Sequence, residues 1–451
     1  MANLLSTTID GSITEKEGTG TVSGTTITVD LATGNFFEID LASATGSIGA
    51  ITVNNAASSG ISTFILKLKQ SSTSYEAGVG STNVYASFKS IKWPSITGFK
   101  WENATSAVLS NTLHKADILS FTSYDNGTTW IGNDIGNFIA PNKDILFGSR
   151  GIFAGGNLLA GAPDTNSNVI DYVTIGTPGD ATDFGNLSVG RRGPGATSNG
   201  TRGIFAGGWL THPTNTYLDT IDYVAIATTG DATDFGNLSE VRKSCSAVSD
   251  GVRAVMMGGS YPSGGGGQPS VTIDYITIAT TADAADFGDH TVARTSTAGV
   301  TDGIIALNAQ RDFGTPQIDK LTIATLGNAV DFGNALSVSR SSTMPASDGH
   351  RGLWAGGHEA SNVRSEIIDY VTIAISSNAV DFGNLTVSRS STQAGTSNGS
   401  RGIFAGGYGP QGGPLVTQDV IDYVTIATTG DATDFGNLTE ERSDASATSG
   451  D

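Results

Sequence analysis

The sequence carries a single cysteine, Cys245, in 451 residues. No intramolecular disulfide can form, which excludes the small disulfide-stapled scaffolds of secreted proteins. Charge is scarce as well: 15% of residues are charged, where about 25% is usual. That deficit disfavours long amphipathic helices and charged disordered tails. Basic residues are the scarcer kind, 24 against 43 acidic for a net charge of −19. A polyanion would be repelled, so neither nucleic acid nor an anionic membrane surface is an expected partner. No apolar run approaches 18 residues, so helical membrane insertion is not expected. The opening MANLLSTTID has no basic stretch followed by an apolar one, and synthesis as a soluble chain in a cytoplasm is expected. Heptads and collagen-like triplets are missing too, so no stalk declares an oligomeric state.

What is abundant is glycine, 60 residues, about twice the usual 7%. Apolar residues at 38% allow a sizeable core. Thr, Val, Ile and Ser between glycines indicate an all-β chain with many tight turns. The length suits two to four domains of about 150 residues each.

Internal repetition organises the second part of the chain. Asp-Phe-Gly recurs at Asp183, Asp234, Asp286, Asp331, Asp381 and Asp434, each with an Ile-Asp pair twelve residues earlier. An arginine follows each tripeptide: Arg191, Arg242, Arg294, Arg340, Arg389 and Arg442. Upstream of each Ile-Asp lies an apolar stretch, RGIFAGG at 150–156, 202–208 and 401–407, with RGLWAGG and VRAVMMGG as variants. DGIIALNA at 302–309 lacks the double glycine. A period of 45 to 53 residues accommodates four short strands with their turns, one propeller blade per repeat. GIFAGG reads as a strand buried on both faces, IDYVTIA as a half-exposed strand, and DFGNL as an outer strand. Small-residue segments such as RGPGATSNG read as innermost strands. The arginines are expected to bond loop carbonyls or an Asp-Phe-Gly carboxylate.

These units resemble kelch repeats, with Gly-Gly closing the apolar strand and Tyr172, Tyr223, Tyr275, Tyr370 and Tyr423 after Ile-Asp. Lys320 is the exception, and Phe stands throughout where kelch blades carry an outer Trp. The resemblance covers about residues 148–451 and implies a six-bladed kelch-like β-propeller. The final SDASATSGD would supply the inner strand missing from the unit that opens at Gly151, closing the ring and hiding its edges.

Residues 1–140 do not share the repeat. TTITVDL, FFEIDL, ITVNN and STFILKLKQ alternate as strands of an antiparallel sheet or sandwich. ITGFKWEN, SAVLSN and ADILSFTSYDNGTTWIGN add further strands and a hairpin. The expected division is a β-sandwich-like attachment or oligomerisation module at 1–140, a linker at 141–149, and the propeller at 150–451. The stretch at 116–132 resembles segments of β-rich structural proteins of tailed bacteriophages, notably those infecting cyanobacteria, and NGTRGIFAGG and TIATTGDATDFGNL resemble repeats of virion proteins.

Candidate chemistry is sparse. Ser123-Tyr-Asp125-Asn-Gly127-Thr-Thr129-Trp130 fits the Asp-box of sialidase propellers, but it occurs once and outside the repeats. A hairpin with Asp125 capping turn amides and Trp130 packed beneath accounts for it. The repeated arginines do not form a unique triad, and none of Asp302, Arg311 and Lys320, where the repeat departs from its pattern, supplies one. His114, His212, His290, His350 and His358 fall in dissimilar places. Cys245 reads as a small buried thiol. Carboxylate pairs such as Asp180 and Asp183 offer too few oxygens for calcium. Turn capping explains them, so no metal, cofactor or catalytic residue is assigned.

Variation is concentrated between the Gly-Gly and the Ile-Asp, in segments expected on one face of the ring. Rigid scaffolds carrying variable aromatic loops are built for recognition. Trp209, His212, Tyr217, Tyr261, Phe313, His358 and Tyr408 are therefore the candidate ligand contacts. The expectation is a non-enzymatic virion structural protein, a tail fibre or adhesin that binds a host-surface glycan or protein. Other virion proteins would bind the N-terminal module, and a homo-oligomer is expected, a trimer being favoured. The alternatives are a capsid or neck decoration protein, a glycan hydrolase on the propeller, or a cytoplasmic kelch scaffold.

Overall fold

The computed structural model describes residues 18–41, 44–45, 48–58, 61–69, 99–101, 116–138, 147–159, 165–211, 215–263, 266–312, 315–334, 340–359, 363–391, 393–409 and 416–451. The chain divides into two compact units, Met1–Ala140 and Pro141–Asp451. Among the described residues there is no α-helix. The protein is all-β.

In the first unit a three-stranded sheet joins Gly20–Ser23, Thr26–Asp30 and Ala50–Asn54. A five-stranded sheet orders Phe36–Asp40, Ser62–Lys69, Ala116–Ser123, Trp130–Phe138 and Phe99–Trp101. Alternation along these strands turns Ile27 and Val29 of one sheet, and Phe37, Ile39, Phe64, Leu66 and Leu68 of the other, into one shared core. The expected antiparallel arrangement needs correction, because the sheets are mixed. Thr26–Asp30 runs parallel to Ala50–Asn54, Phe36–Asp40 to Ser62–Lys69, and Phe99–Trp101 to Trp130–Phe138. Alternation reports which face is buried and says nothing of strand direction. SAVLSN lies outside the described residues.

Among its described residues the second unit holds six sheets, four of them with four strands built in chain order. The second sheet is typical: Gly195–Ser198, Arg202–Leu210, Thr216–Ala225 and Thr233–Asn237, all antiparallel. The first strands of the third to sixth sheets are Ser246–Ser249, Ala298–Thr301, Met344–Ser347 and Gly395–Ser397. The first sheet, made of Arg150–Leu158, Thr165–Thr174 and Thr182–Asn186, takes its remaining strand from the far end of the chain. There Ser446–Gly450 pairs antiparallel with Arg150–Leu158. The third sheet gains a hairpin strand, Ser260–Ser263, beside an elongated Gly266–Thr277.

Six apolar clusters hold these sheets, and every one is shared by two neighbours. One joins Ile152, Phe184 and Leu187 of the first sheet to Phe205 and Ile226 of the second. Another joins Ile403, Phe435 and Leu438 of the sixth to Phe153 and Val173 of the first. Polar contacts follow the same succession. Asn186 N–H donates to Asp231 Oδ1 of the next sheet at 2.9 Å, Asn384 N–H to Asp431 at 2.9 Å, and Asn437 N–H to Asp180 of the first sheet at 3.0 Å. The aspartates of the Gly-Asp-Ala-Thr turns thus cap the outer strand of the preceding sheet. The tripeptide glycine lets that turn approach. A Cβ on Gly236 (φ +146°) would sit 2.5 Å from Ala282 O, and one on Gly436 (φ +146°) 2.5 Å from Gly179 O.

The first strands also touch one another in order, and their serines bond across. Ser249 Oγ donates to Ser198 O and Ser198 Oγ to Ser449 O, each at 2.5 Å, while Ser449 Oγ donates to Ser397 O at 2.7 Å. Small side chains are required there because six strands leave a narrow space, about 80 Å³, with Phe147 and Gln393 among its lining.

Candidate functional site

Each repeated arginine is fully or almost fully buried and bonds a buried aspartate, but the partner differs from the expected Asp-Phe-Gly carboxylate. Arg191 Nη1 reaches Asp222 at 3.0 Å, Arg242 Nη2 reaches Asp274 at 2.6 Å, and Arg389 reaches Asp422 at 2.9 Å. Arg294, Arg340 and Arg442 each sit 2.8 Å from Asp319, Asp369 and Asp171. The partners are therefore the Ile-Asp aspartates on third strands. Asp183, Asp234, Asp286, Asp331, Asp381 and Asp434 point to solvent because Phe184 and its equivalents, the next residue along a pleated strand, face the core. Strand carbonyls complete the coordination, as with Arg191 Nη2 to Phe205 O at 3.1 Å. Burial pushes the pKa of Arg191, Arg340, Arg389 and Arg442 down, against the pull of each aspartate. These pairs are architecture.

They also position the residues next in the chain. Directly after the six arginines stand Arg192, Lys243, Thr295, Ser341, Ser390 and Ser443. Several of these segments pair with the end of a second strand: Arg192 with Trp209, Lys243 with Ser260, Ser341 with His358, Ser390 with Tyr408, and Ser443 with Asn157. The hairpins between second and third strands therefore rise at the end where the first strands begin. Just before those strands the backbone turns left-handed at Gly193 (φ 63°), Ser244 (55°), Ser296 (54°), Ser342 (56°) and Asp444 (52°). The turns bond in series: Gly193 N–H to Asp444 O at 2.7 Å and Ser244 N–H to Gly193 O at 2.7 Å. A left-handed non-glycine residue costs roughly 1 kcal/mol or more, and such strain gathers at ligand clamps and active sites.

Together these residues make a mouth of about 330 Å³ lined by Arg192, Trp209, Lys243, Ser244, Ser296 and Asp444, among others. Lys243 Nζ lies 3.4 Å from the Trp209 ring centroid and 5.0 Å from that of Tyr217, and Arg192 Cζ lies 3.9 Å from Trp209. Burial, and then the Arg192 charge, push the Lys243 pKa down to about 8, while Asp444 resists. Asp444 also faces Arg364, whose own pKa burial lowers.

No protein-family model matches this chain, and no curated protein matches it.

Of the candidate contacts, the structure brings Trp209 and Tyr217 together, ring centroids 6.1 Å apart. Trp209 Nε1 donates to Asn215 at 2.6 Å. Tyr261 is exposed on the third sheet's extra hairpin. Tyr408 Oη accepts from Asn157 Nδ2 at 2.5 Å, and His358 is bridged to Ser341 and Arg364. His212 and Phe313 lie outside the described residues. Arg192, Lys243, Arg364 and Asp444 escaped the sequence reading. The signal was there in the residue after each repeated arginine, basic in two adjacent repeats and a serine or threonine in the other four.

The remaining candidates are structural. Asp125 Oδ1 accepts from Thr129 N–H at 2.7 Å and from Ser123 Oγ at 2.9 Å, and Trp130 Nε1 donates to Gly127 O at 3.1 Å, so the Asp-box is a hairpin lock. Cys245 is buried just before the third sheet's first strand, where burial pushes its thiol pKa up. His290 takes the position that leucine holds in most repeats and bonds Asp319 at 2.8 Å. Burial pushes its pKa below 6.5.

Proposed function

We propose that this protein is a non-enzymatic virion structural protein of a tailed phage. Its C-terminal unit forms a closed six-bladed kelch-like propeller, held out to recognise a glycan or protein on the host surface. The observation that carries the recognition reading is the mouth: cations, aromatic rings and hydroxyls converge where the variable hairpins rise. The propeller reading draws support from the six shared apolar clusters and from the pairing of Ser446–Gly450 with the first sheet. The phage reading rests on the likeness of residues 116–132 and of the repeats to virion proteins.

A binding role also suits the charges. Glycoside hydrolysis uses two carboxyl groups about 5 to 10 Å apart, whereas among the described residues lining the mouth Asp444 is the one acid. Many copies on a particle would offset weak single-site affinity, since linked sites raise avidity by about 10²–10⁴. In this reading the N-terminal unit joins the chain to other virion proteins, as a homo-oligomer.

Adsorption measures this directly. The purified full chain should be retained on host cells and compete with phage adsorption, while a variant with Tyr217, Tyr261 and Tyr408 changed to Ser should not. Cryo-electron microscopy of the particle that found the hairpin end buried against other virion proteins would overturn the adhesin role.

A further inference from the structure

We propose that the mouth binds an acidic saccharide, Arg192 and Lys243 taking its anionic group and the serine and threonine hydroxyls of the rim taking its ring hydroxyls. This rests on the recognition reading above and narrows its ligand to one chemistry.

Charge is the first reason. In a chain of net charge −19, two cations converge on one indole, 3.9 and 3.4 Å from its centroid. Among the described residues neither has a carboxylate at ion-pair distance. Like charges held together at a partly buried site repel, and that arrangement costs stability unless an anion joins them. Trp209 fixes both cations by cation–π contact, worth about 0.5–2 kcal/mol each. It serves as a post for the cations, and its ring is not an open platform for stacking.

The groups facing Lys243 are Arg192, the Tyr217 ring and Asp444. Asp444, the one acid among the described residues lining the mouth, also answers Arg364 outside that lining, so two lining cations share a single carboxylate that is itself divided. Lining and size supply the second reason. Ser244, Ser260, Thr295, Ser296 and Ser342 surround the cations with hydroxyl-bearing side chains. The volume of about 330 Å³ falls at the lower end of small-molecule sites, about 300–1,000 Å³. A lone inorganic anion would leave most of those hydroxyls unused, whereas a sugar ring pairs with them. The depressed Lys243 pKa agrees, since a bound anion would raise it back toward its ordinary value.

Titration calorimetry of the full chain at pH 7 tests this with galacturonate, N-acetylneuraminate and glucose 6-phosphate, against galactose, glucose and inorganic phosphate. At least one acidic sugar should bind saturably, tenfold or more tighter than the neutral sugars and tighter than inorganic phosphate. Its affinity should fall about tenfold between pH 7 and 9, as Lys243 loses its proton. Lys243→Met and Arg192→Gln should each weaken binding at least tenfold without lowering the melting temperature, since each relieves the repulsion between the two cations, while Lys243→Arg retains binding. Binding by none of the acidic sugars, equal binding of neutral ones, phosphate binding as tightly as any sugar, or unaltered binding by Lys243→Met would overturn the proposal. Cell adsorption separates the two readings. If Lys243→Met adsorbs to host cells as the parent does, recognition stands and the acidic saccharide falls. If the parent fails to adsorb, the recognition reading itself fails.

Discussion

Asp171→Asn removes the charge that holds the last arginine of the chain against the first sheet. Arg442 Nη2 lies 2.8 Å from Asp171 Oδ2, and both side chains are fully buried. Thr439 Oγ1 donates to the same carboxylate at 2.6 Å, while Arg442 also reaches Val169 O at 3.0 Å and Phe153 O at 3.2 Å. Substitution leaves a guanidinium that burial already penalises without its buried counter-ion, with only the partly exposed Glu440, 3.2 Å from Nη1, to answer it. Breaking a buried pair from one side costs about 3–5 kcal/mol. A unit of about 310 residues has an unfolding entropy near 0.65 kcal/mol/K, so each kcal/mol moves its Tm by about 1.5 °C. Calorimetry of the full chain should therefore show the second unit melting about 5–8 °C lower.

The same reasoning demands non-additivity. Arg442→Met alone strands Asp171, but Arg442→Met with Asp171→Leu leaves no buried charge behind. The double variant should cost at least about 2 kcal/mol less than the sum of the two singles. Because this pair joins residues 271 apart, Asp171→Asn should also expose residues 443–451 to carboxypeptidase, whereas Asp222→Asn should not. Additive single losses, or a tail equally protected in Asp171→Asn, would refute the account of these arginines as buried staples.

Gly236→Ala should lower the melting temperature of the second unit by several degrees, since its Cβ would meet Ala282 O at 2.5 Å with φ at +146°; a neutral result would mean that the adjoining turn can move away. Where other repeats stack arginine on tyrosine, such as Arg202 at 4.3 Å over Tyr223, the fourth sheet has Ile305 and, two pairs along the ladder, Lys320. Ile305→Arg with Lys320→Tyr should restore the stack and a bond to Ile373 O, stabilising by about 1–2 kcal/mol in chemical denaturation, and neither change alone should do as much. His290 is kept neutral by burial, so its pKa lies below the unfolded value of 6.5. The unfolded chain then binds the extra proton, and stability is lost as pH falls below about 6.5, by up to about 1.4 kcal/mol per pH unit. His290→Leu, which restores the residue of most other repeats, should flatten that slope in urea melts between pH 7 and 5. Asp125→Ala should lower the melting temperature of the first unit by unlocking the hairpin.

Much of the fold could be read from the repeat, because a fixed twelve-residue offset between Ile-Asp and Asp-Phe-Gly is the length of one strand, one turn and one strand. The sheet order, the burial of the apolar strand and the small residues of the first strands follow from periodicity and side-chain size. Strand direction in the first unit did not, since a parallel and an antiparallel neighbour bury the same alternate residues. Nor did the partner of each arginine. Asp171 and Asp183 are both invariant features of the repeat, and only the bulge after Ile170 and the pleat at Phe184 decide which is turned inward. The mouth was still less legible. Arg192, Lys243, Trp209 and Asp444 are up to 252 residues apart, in segments that look like plain connections. They meet only because successive sheets bring the start of every first strand to the same place. By itself the sequence determined an all-β chain with six repeated units and the composition of each strand. Tertiary structure decided which charges are buried and paired, and which are gathered with little to neutralise them, because that depends on distances that no local pattern encodes.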